Sequence, residues 1–155
     1  EAITGTFIEF LESVGKVPIR CQSSPGFIIP RLQAVAMNEA ARMVEEGVAS
    51  AEDIDKAVRV GFGVRYASMG MLEFIDWGGG DILYYASKYL SDALQSDRYA
   101  AAEIIEKNMA DGKIGLGAGE GFYNFNEMDV AEYRKETLSR MVGLIDHLGL
   151  LHPPK

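Results

Sequence analysis

Apolar positions recur at helical spacing along most of the chain, and only one short stretch alternates as a strand does. Ile3, Phe7, Phe10 and Leu11 repeat along residues 2–14, which predicts a helix ended by Gly15. Val17, Pro18, Ile19 and Cys21 then read as a short strand. After Pro25 the alternation disappears. Ile28, Leu32, Val35, Ala36, Ala40, Met43 and Val44 share one face of a helix predicted over about residues 26–46. Pro30 is tolerated near its start, where the first four amides have no internal partner. Gly47 ends it, and Ser50, with Asp53 three residues on, caps a helix whose Ile54, Ala57 and Val58 face inward.

The run GFGVRYASMG reads as a loop, and the apolar helix MLEFIDW that follows meets Gly78, Gly79 and Gly80. Asp81 restarts a helix with Leu83, Tyr84, Ser87 and Leu90 along one side. Residues 97–110 predict another helix. GKIGLGAGEGFYNF holds five glycines in fourteen residues and reads as an ordered turn or mobile loop. Asn126, with Asp129 three residues later, is placed as the cap of a last helix lined by Leu138, Met141, Val142, Ile145 and Leu148. Gly149, Pro153 and Pro154 stop it. The expectation is a helical domain of five or six helices over residues 23–155, preceded at 1–22 by the helix–strand tail of an α/β unit.

Composition narrows the function classes. The chain has 155 residues, and its 48% hydrophobic and 25% charged content supplies a core and argues against disorder. Fifteen basic against 23 acidic residues give a net charge of −8, and the basic residues do not cluster, so nucleic acid is a poor partner. The single cysteine, Cys21, forms no internal disulfide and builds no metal site with His147 and His152, which points to a reducing cytoplasm. No apolar run approaches the roughly 20 residues that span a bilayer, and the first residues lack a signal peptide's basic start and cleavage site. The chain begins without Met inside an amphipathic pattern, as a fragment does.

Candidate chemistry is sparse. Gly115 to Gly121 follow a G-x-G-x-G-x-G spacing with no strand before them, so a surface turn that tucks Phe122 and Tyr123 into the core is favoured over a dinucleotide site. Glu73 and Asp76, three apart on one helix, form either an acid/base pair or a solvated or capped stretch. His147 and His152 have no partner at a telling distance and read as surface residues. Arg65 sits among glycines and aromatics, where a guanidinium can clamp a carboxylate or phosphate with two hydrogen bonds; the alternative is a structural Arg at a helix end or beside an acid.

Three motifs in order carry a resemblance. SPGFIIPRLQAVAMNEAARMVEEGVASAEDIDKAV, FIDWGGGDIL and GKIGLGAGEGFYNF resemble the P-G-F-[IV]-[VA]-N-R-L and E-G-V-A stretch, the L-x-D-x-x-G-L-D and the G-x-K-T-G-x-G-F-Y-x-Y of NAD-dependent 3-hydroxyacyl-CoA dehydrogenases. The resemblance implies a C-terminal helical domain of the 6-phosphogluconate dehydrogenase-like type, a homodimer, and NAD held by an upstream Rossmann domain of which residues 1–22 are the last helix and strand. It implies that catalytic and cofactor-binding residues lie outside this chain, which supplies the dimer interface and part of the cleft for a small 3-hydroxyacyl or hydroxy-acid substrate.

The departures from the family pattern concern the substrate. Pro30 stands where the family has Asn. GFGVRYASMGM replaces G-x-G-x-P-M-G-P with three extra residues, Ser68 and Met71 standing for the prolines, and Gly117 and Ala118 replace Lys and Thr. The added Arg is similar to the branch of L-gulonate 3-dehydrogenase, lambda-crystallin and carnitine dehydrogenase, whose substrates carry a free carboxylate; FIDWGG is similar to a hydroxypyridine-carboxylate dehydrogenase. The substrate-binding residues expected are Arg65, Ser68, Met69 and Pro30, and the dimer-interface residues Trp77, Phe74 and Tyr84. A non-catalytic helical dimerisation module is the remaining alternative.

Overall fold

The computed structural model describes residues 2–151, and every regular element among them is helical. The expected tail residues His152, Pro153 and Pro154 lie outside the described residues. The chain divides into two compact units, Glu1–Ile54 and Asp55–Lys155.

The first unit holds α1 (Ala2–Ser13) and α2 (Ile29–Glu45). Gly15, at φ +75°, closes α1 in the left-handed turn that glycine adopts without steric cost; the Lys16 amide donates to Leu11 O at 3.0 Å. The strand expected at Val17–Cys21 does not form. A strand needs a neighbouring strand to take its backbone hydrogen bonds, and there is none among the described residues. The second helix begins at Ile29, later than the pattern predicts, because Gly26 and Phe27 both have positive φ, 75° and 46°. Pro30 sits in its first turn. No residue of α2 is buried: periodicity marks a shared stripe and says nothing of what covers it.

The helix α3 (Ala51–Ala57) is capped as expected, with the Asp53 amide donating to Ser50 Oγ at 3.1 Å. Ile54 is buried, whereas Ala57 and Val58 are exposed. The expected loop at residues 61–70 is instead helical over most of its length: a π-helical stretch, Val58–Gly63, runs directly into α4 (Val64–Ser68). Gly63 permits this wide turn. It has helical angles, φ −65° and ψ −43°, and a Cβ on it would lie 3.1 Å from the Val58 carbonyl.

The second unit continues with α5 (Met71–Gly78), α6 (Gly80–Leu94), α7 (Glu103–Ala110) and α8 (Val130–His147). The break between α5 and α6 falls on Gly79 alone, at φ +106°. The predicted helix over 97–110 starts only at Glu103. Asp97–Tyr99 is a separate 3-10 turn, and Ala100 to Ala102 leave the helix despite their propensity so that α7 can pack back on α6. Asp129, not Asn126, caps α8: its Oδ1 accepts the Ala131 and Glu132 amides at 3.1 and 3.0 Å, while the Asn126 amide donates to Asn124 Oδ1. Helix α4 packs on α8, and α6 on α5 and α7. Val64, Met69, Ile105, Leu116 and Phe125 form the buried apolar core, with Asp76, Ser87 and Thr137 as buried polar members.

Candidate functional site

Arg65 projects from α4 onto α5. Its guanidinium carbon lies 5.2 Å from the centroid of Phe74, a cation–π contact. Phe74 is edge-on to Tyr66 at 5.9 Å, and Tyr66 edge-on to Phe62 at 4.6 Å. Phe62 and Tyr66 are four residues apart on a helical path, which brings the two rings together beside Phe74. Arg65 is exposed and, among the described residues, has no carboxylate partner. Because Arg65 is exposed, its guanidinium N–H donors can be reached by an incoming anion.

The other expected substrate residues are placed differently. The Ser68 hydroxyl donates back into its own helix, to Val64 O at 3.2 Å and Arg65 O at 2.9 Å. Met69, 4% exposed, belongs to the core. Pro30 lies in the first unit, beside Ile19, Cys21, Phe27, Ile28 and Ile29, which line an open apolar pocket of about 410 Å³.

Glu73 and Asp76 take the capped alternative, each carboxylate having its own structural partners. Glu73 Oε2 accepts the Gly70 amide at 3.1 Å at the start of α5, and Oε1 accepts the Tyr133 hydroxyl at 2.7 Å. Burial and the Glu73 carboxylate push the Tyr133 phenol up to about 12. Asp76, 2% exposed, accepts the amides of Phe122 and Tyr123 at 3.0 and 2.8 Å, and its own carbonyl accepts the Leu116 amide at 2.8 Å. Tyr133, Thr137 and Phe125 are structural partners that the pattern did not single out. Tyr133 is separated from Glu73 by 60 residues, and no local signal announces such a pair.

The glycine-rich segment is therefore an ordered turn held by Asp76. Gly115 pairs with Glu120 and Glu120 with Asn124 in isolated bridges, and the Lys113 ammonium, its pKa raised by Glu120, pairs with that carboxylate across the turn. The amides of Gly115, Leu116, Gly121, Phe122 and Tyr123 are taken up by Glu120 O, Asp76 O, Tyr123 O and the Asp76 carboxylate. The turn is not built to cradle a pyrophosphate, which needs free amides at a helix start. Phe122 is half-buried, but Tyr123 is 52% exposed, and Phe125 is the aromatic that enters the core instead.

Trp77 is half-buried, edge-on to Tyr133 at 5.5 Å and with the Arg134 guanidinium 6.0 Å above it. Tyr84 is half-buried beside Tyr85 and Lys88. His147 is exposed at the end of α8. Among the described residues no cluster of His, Cys, Asp or Glu can hold a metal, and no helix is long and apolar enough to cross a membrane.

Known proteins resemble the chain in order and in shape. A probable 3-hydroxyacyl-CoA dehydrogenase of Caenorhabditis elegans is 39% identical over 127 residues, 79% of this chain and 40% of that protein. The 5-formyl-3-hydroxy-2-methylpyridine 4-carboxylate 5-dehydrogenase of Mesorhizobium japonicum is 29% identical over 140 residues, 90% of this chain and 45% of that protein. The crystal structure of a 3-hydroxyacyl-CoA dehydrogenase from Archaeoglobus fulgidus superposes with a TM-score of 0.79 at 32% identity, covering 97% of this chain and 51% of that one. The chain thus spans about half or less of the length of these proteins. Residues 26–125, well over half of the chain, match the 3-hydroxyacyl-CoA dehydrogenase C-terminal domain, and through that domain the chain belongs to the 3-hydroxyacyl-CoA dehydrogenase family.

Proposed function

We propose that this chain is the C-terminal part of an NAD-dependent dehydrogenase of 3-hydroxyacyl-CoA substrates, supplying part of the substrate cleft and a homodimer interface. The observation that carries the reading is the family domain over residues 26–125. Residues 1–22 are read as the tail of the nucleotide-binding domain and 23–155 as the helical substrate and dimerisation domain. NAD is assigned to the upstream domain, because the glycine turn's amides are engaged internally. Arg65 is assigned to the substrate side, Trp77 and Tyr84 to the dimer, and the enzyme to the cytoplasm.

A second reading, a free hydroxy acid in place of the thioester, is favoured by Arg65. A thioester presents a neutral carbonyl and needs no fixed cation, whereas a carboxylate entering a partly dry site is costly unless paired. A guanidinium held on Phe74 without an acidic partner among the described residues suits the second case. The two readings are separated by following NADH formation by the full-length enzyme with (S)-3-hydroxybutyryl-CoA and with 3-hydroxybutyrate. Higher kcat/KM for the thioester supports the first; higher kcat/KM for the free acid supports the second. Inactivity on both overturns the assignment.

A further inference from the structure

We propose that α8 is the positioning element for the Arg65 site and that Tyr133 acts through its hydrogen bond to Glu73. The proposal rests on the reading of Arg65 as a substrate contact. The matched family domain covers residues 26–125, and α8 follows it from Val130. It packs directly on α4, the helix that carries Arg65.

The link is a single carboxylate with two ties. Glu73 Oε2 takes the Gly70 amide at the corner between α4 and α5, while Oε1 takes the Tyr133 hydroxyl from α8. The next residue, Phe74, is the ring under the Arg65 guanidinium. Tyr133 therefore holds the corner that ends the arginine's helix and the turn that bears its platform. Its ring is fixed as well, against Trp77 at 5.5 Å and Phe125 at 6.1 Å. Thr137, one turn further along α8, is 0% exposed, and its hydroxyl accepts from Arg140 Nη2 at 3.1 Å. Burial and Glu73 keep the phenol protonated to high pH, so it remains a donor under all working conditions. A bond of this kind, between a half-buried hydroxyl and a carboxylate, is directional enough to set the distance between two helices.

The test uses the full-length enzyme with whichever of 3-hydroxybutyryl-CoA or 3-hydroxybutyrate it turns over. Tyr133→Phe keeps the ring and removes the donor. It is expected to raise KM roughly tenfold, the scale of one lost hydrogen bond to a charged group, with kcat within about twofold and NADH affinity unchanged. Glu73→Gln, whose one oxygen can keep Tyr133 while its NH2 faces the Gly70 amide, is expected to raise KM less than Glu73→Ala does. The emission lost on Trp77→Phe, measured in each background, isolates the tryptophan that packs on Tyr133 and reports whether α8 remains docked. In an Arg65→Met background, Tyr133→Phe should add nothing further to KM, because both act on one contact. Additive effects, or an unchanged KM in Tyr133→Phe alone, overturn the positioning role. If Arg65→Met itself leaves KM unchanged, the assignment of Arg65 to the substrate fails, and the proposal fails with it.

Discussion

Asp76 and Gly121 occupy one another's space: a Cβ on Gly121 would fall on the Asp76 carboxylate, which is why the amides of the next two residues can reach that carboxylate at 3.0 and 2.8 Å. The acid is thereby satisfied without a cation. Its role is to fix the glycine turn against the end of α5.

Asp76→Ala leaves two amides unpaired in a site only 2% exposed. A loss of about 2–4 kcal/mol is expected from unsatisfied donors of this kind, read as a lower urea midpoint with an unchanged slope. Gly121→Ala should be destabilising too, because its methyl group displaces the same carboxylate. An unchanged midpoint in either variant contradicts this account of the turn.

Arg65→Met, in the full-length enzyme, is expected to lower kcat/KM by roughly two orders of magnitude, the scale of a lost charged hydrogen-bond pair, with NADH affinity and melting temperature nearly unchanged. Lys at this position should recover only part of the loss, since it brings a point charge without the planar fork. Normal turnover with a lowered melting temperature would instead make Arg65 a structural clamp on Phe74.

Tyr133 makes stability depend on alkaline pH. Its folded-state value of about 12 lies above the ordinary 10.0, so the unfolded chain loses this proton first. The contribution is whole below pH 10 and is lost as pH rises to about 12. Urea midpoints measured across that window should fall more steeply for the unaltered chain than for Tyr133→Phe. Parallel curves would show that the phenol is not held in the neutral form.

The Lys113–Glu120 pair is exposed on both sides. Glu120→Gln should shift the melting temperature only slightly, and the difference should vanish in molar salt, where exposed charges are screened. A large, salt-independent loss would mean that the pair, and not Asp76, holds the turn.

A homodimer mass is expected from light scattering of the chain at tens of micromolar. Tyr84→Glu, on the half-buried side of α6, should shift the population toward monomer without unfolding it. A monomer mass for the unaltered chain removes the dimer proposal.

Much of this molecule was legible in the chain itself. Helices α2, α5, α6 and α8 follow from apolar periodicity and their glycine stops, which act over four or five residues and need no partner. The Ser50 cap and the family motifs are of the same local kind. The alternation at Val17–Cys21 makes no strand, because it describes a strand's faces but not the neighbour that must bond it. The segment around Arg65 is helical where its glycines predict a loop: glycine is a breaker on average, but Gly63 uses its missing side chain to let a wide helical turn pass close to Val58 O. Helix packing alone brings distant residues together: Asp76 with Phe122 and Tyr123, and Glu73 with Tyr133. Those partners stand 46, 47 and 60 residues apart. A carboxylate's role is set by the donors that reach it, and for Glu73 and Asp76 the decisive donors come from segments brought near only when the helices pack.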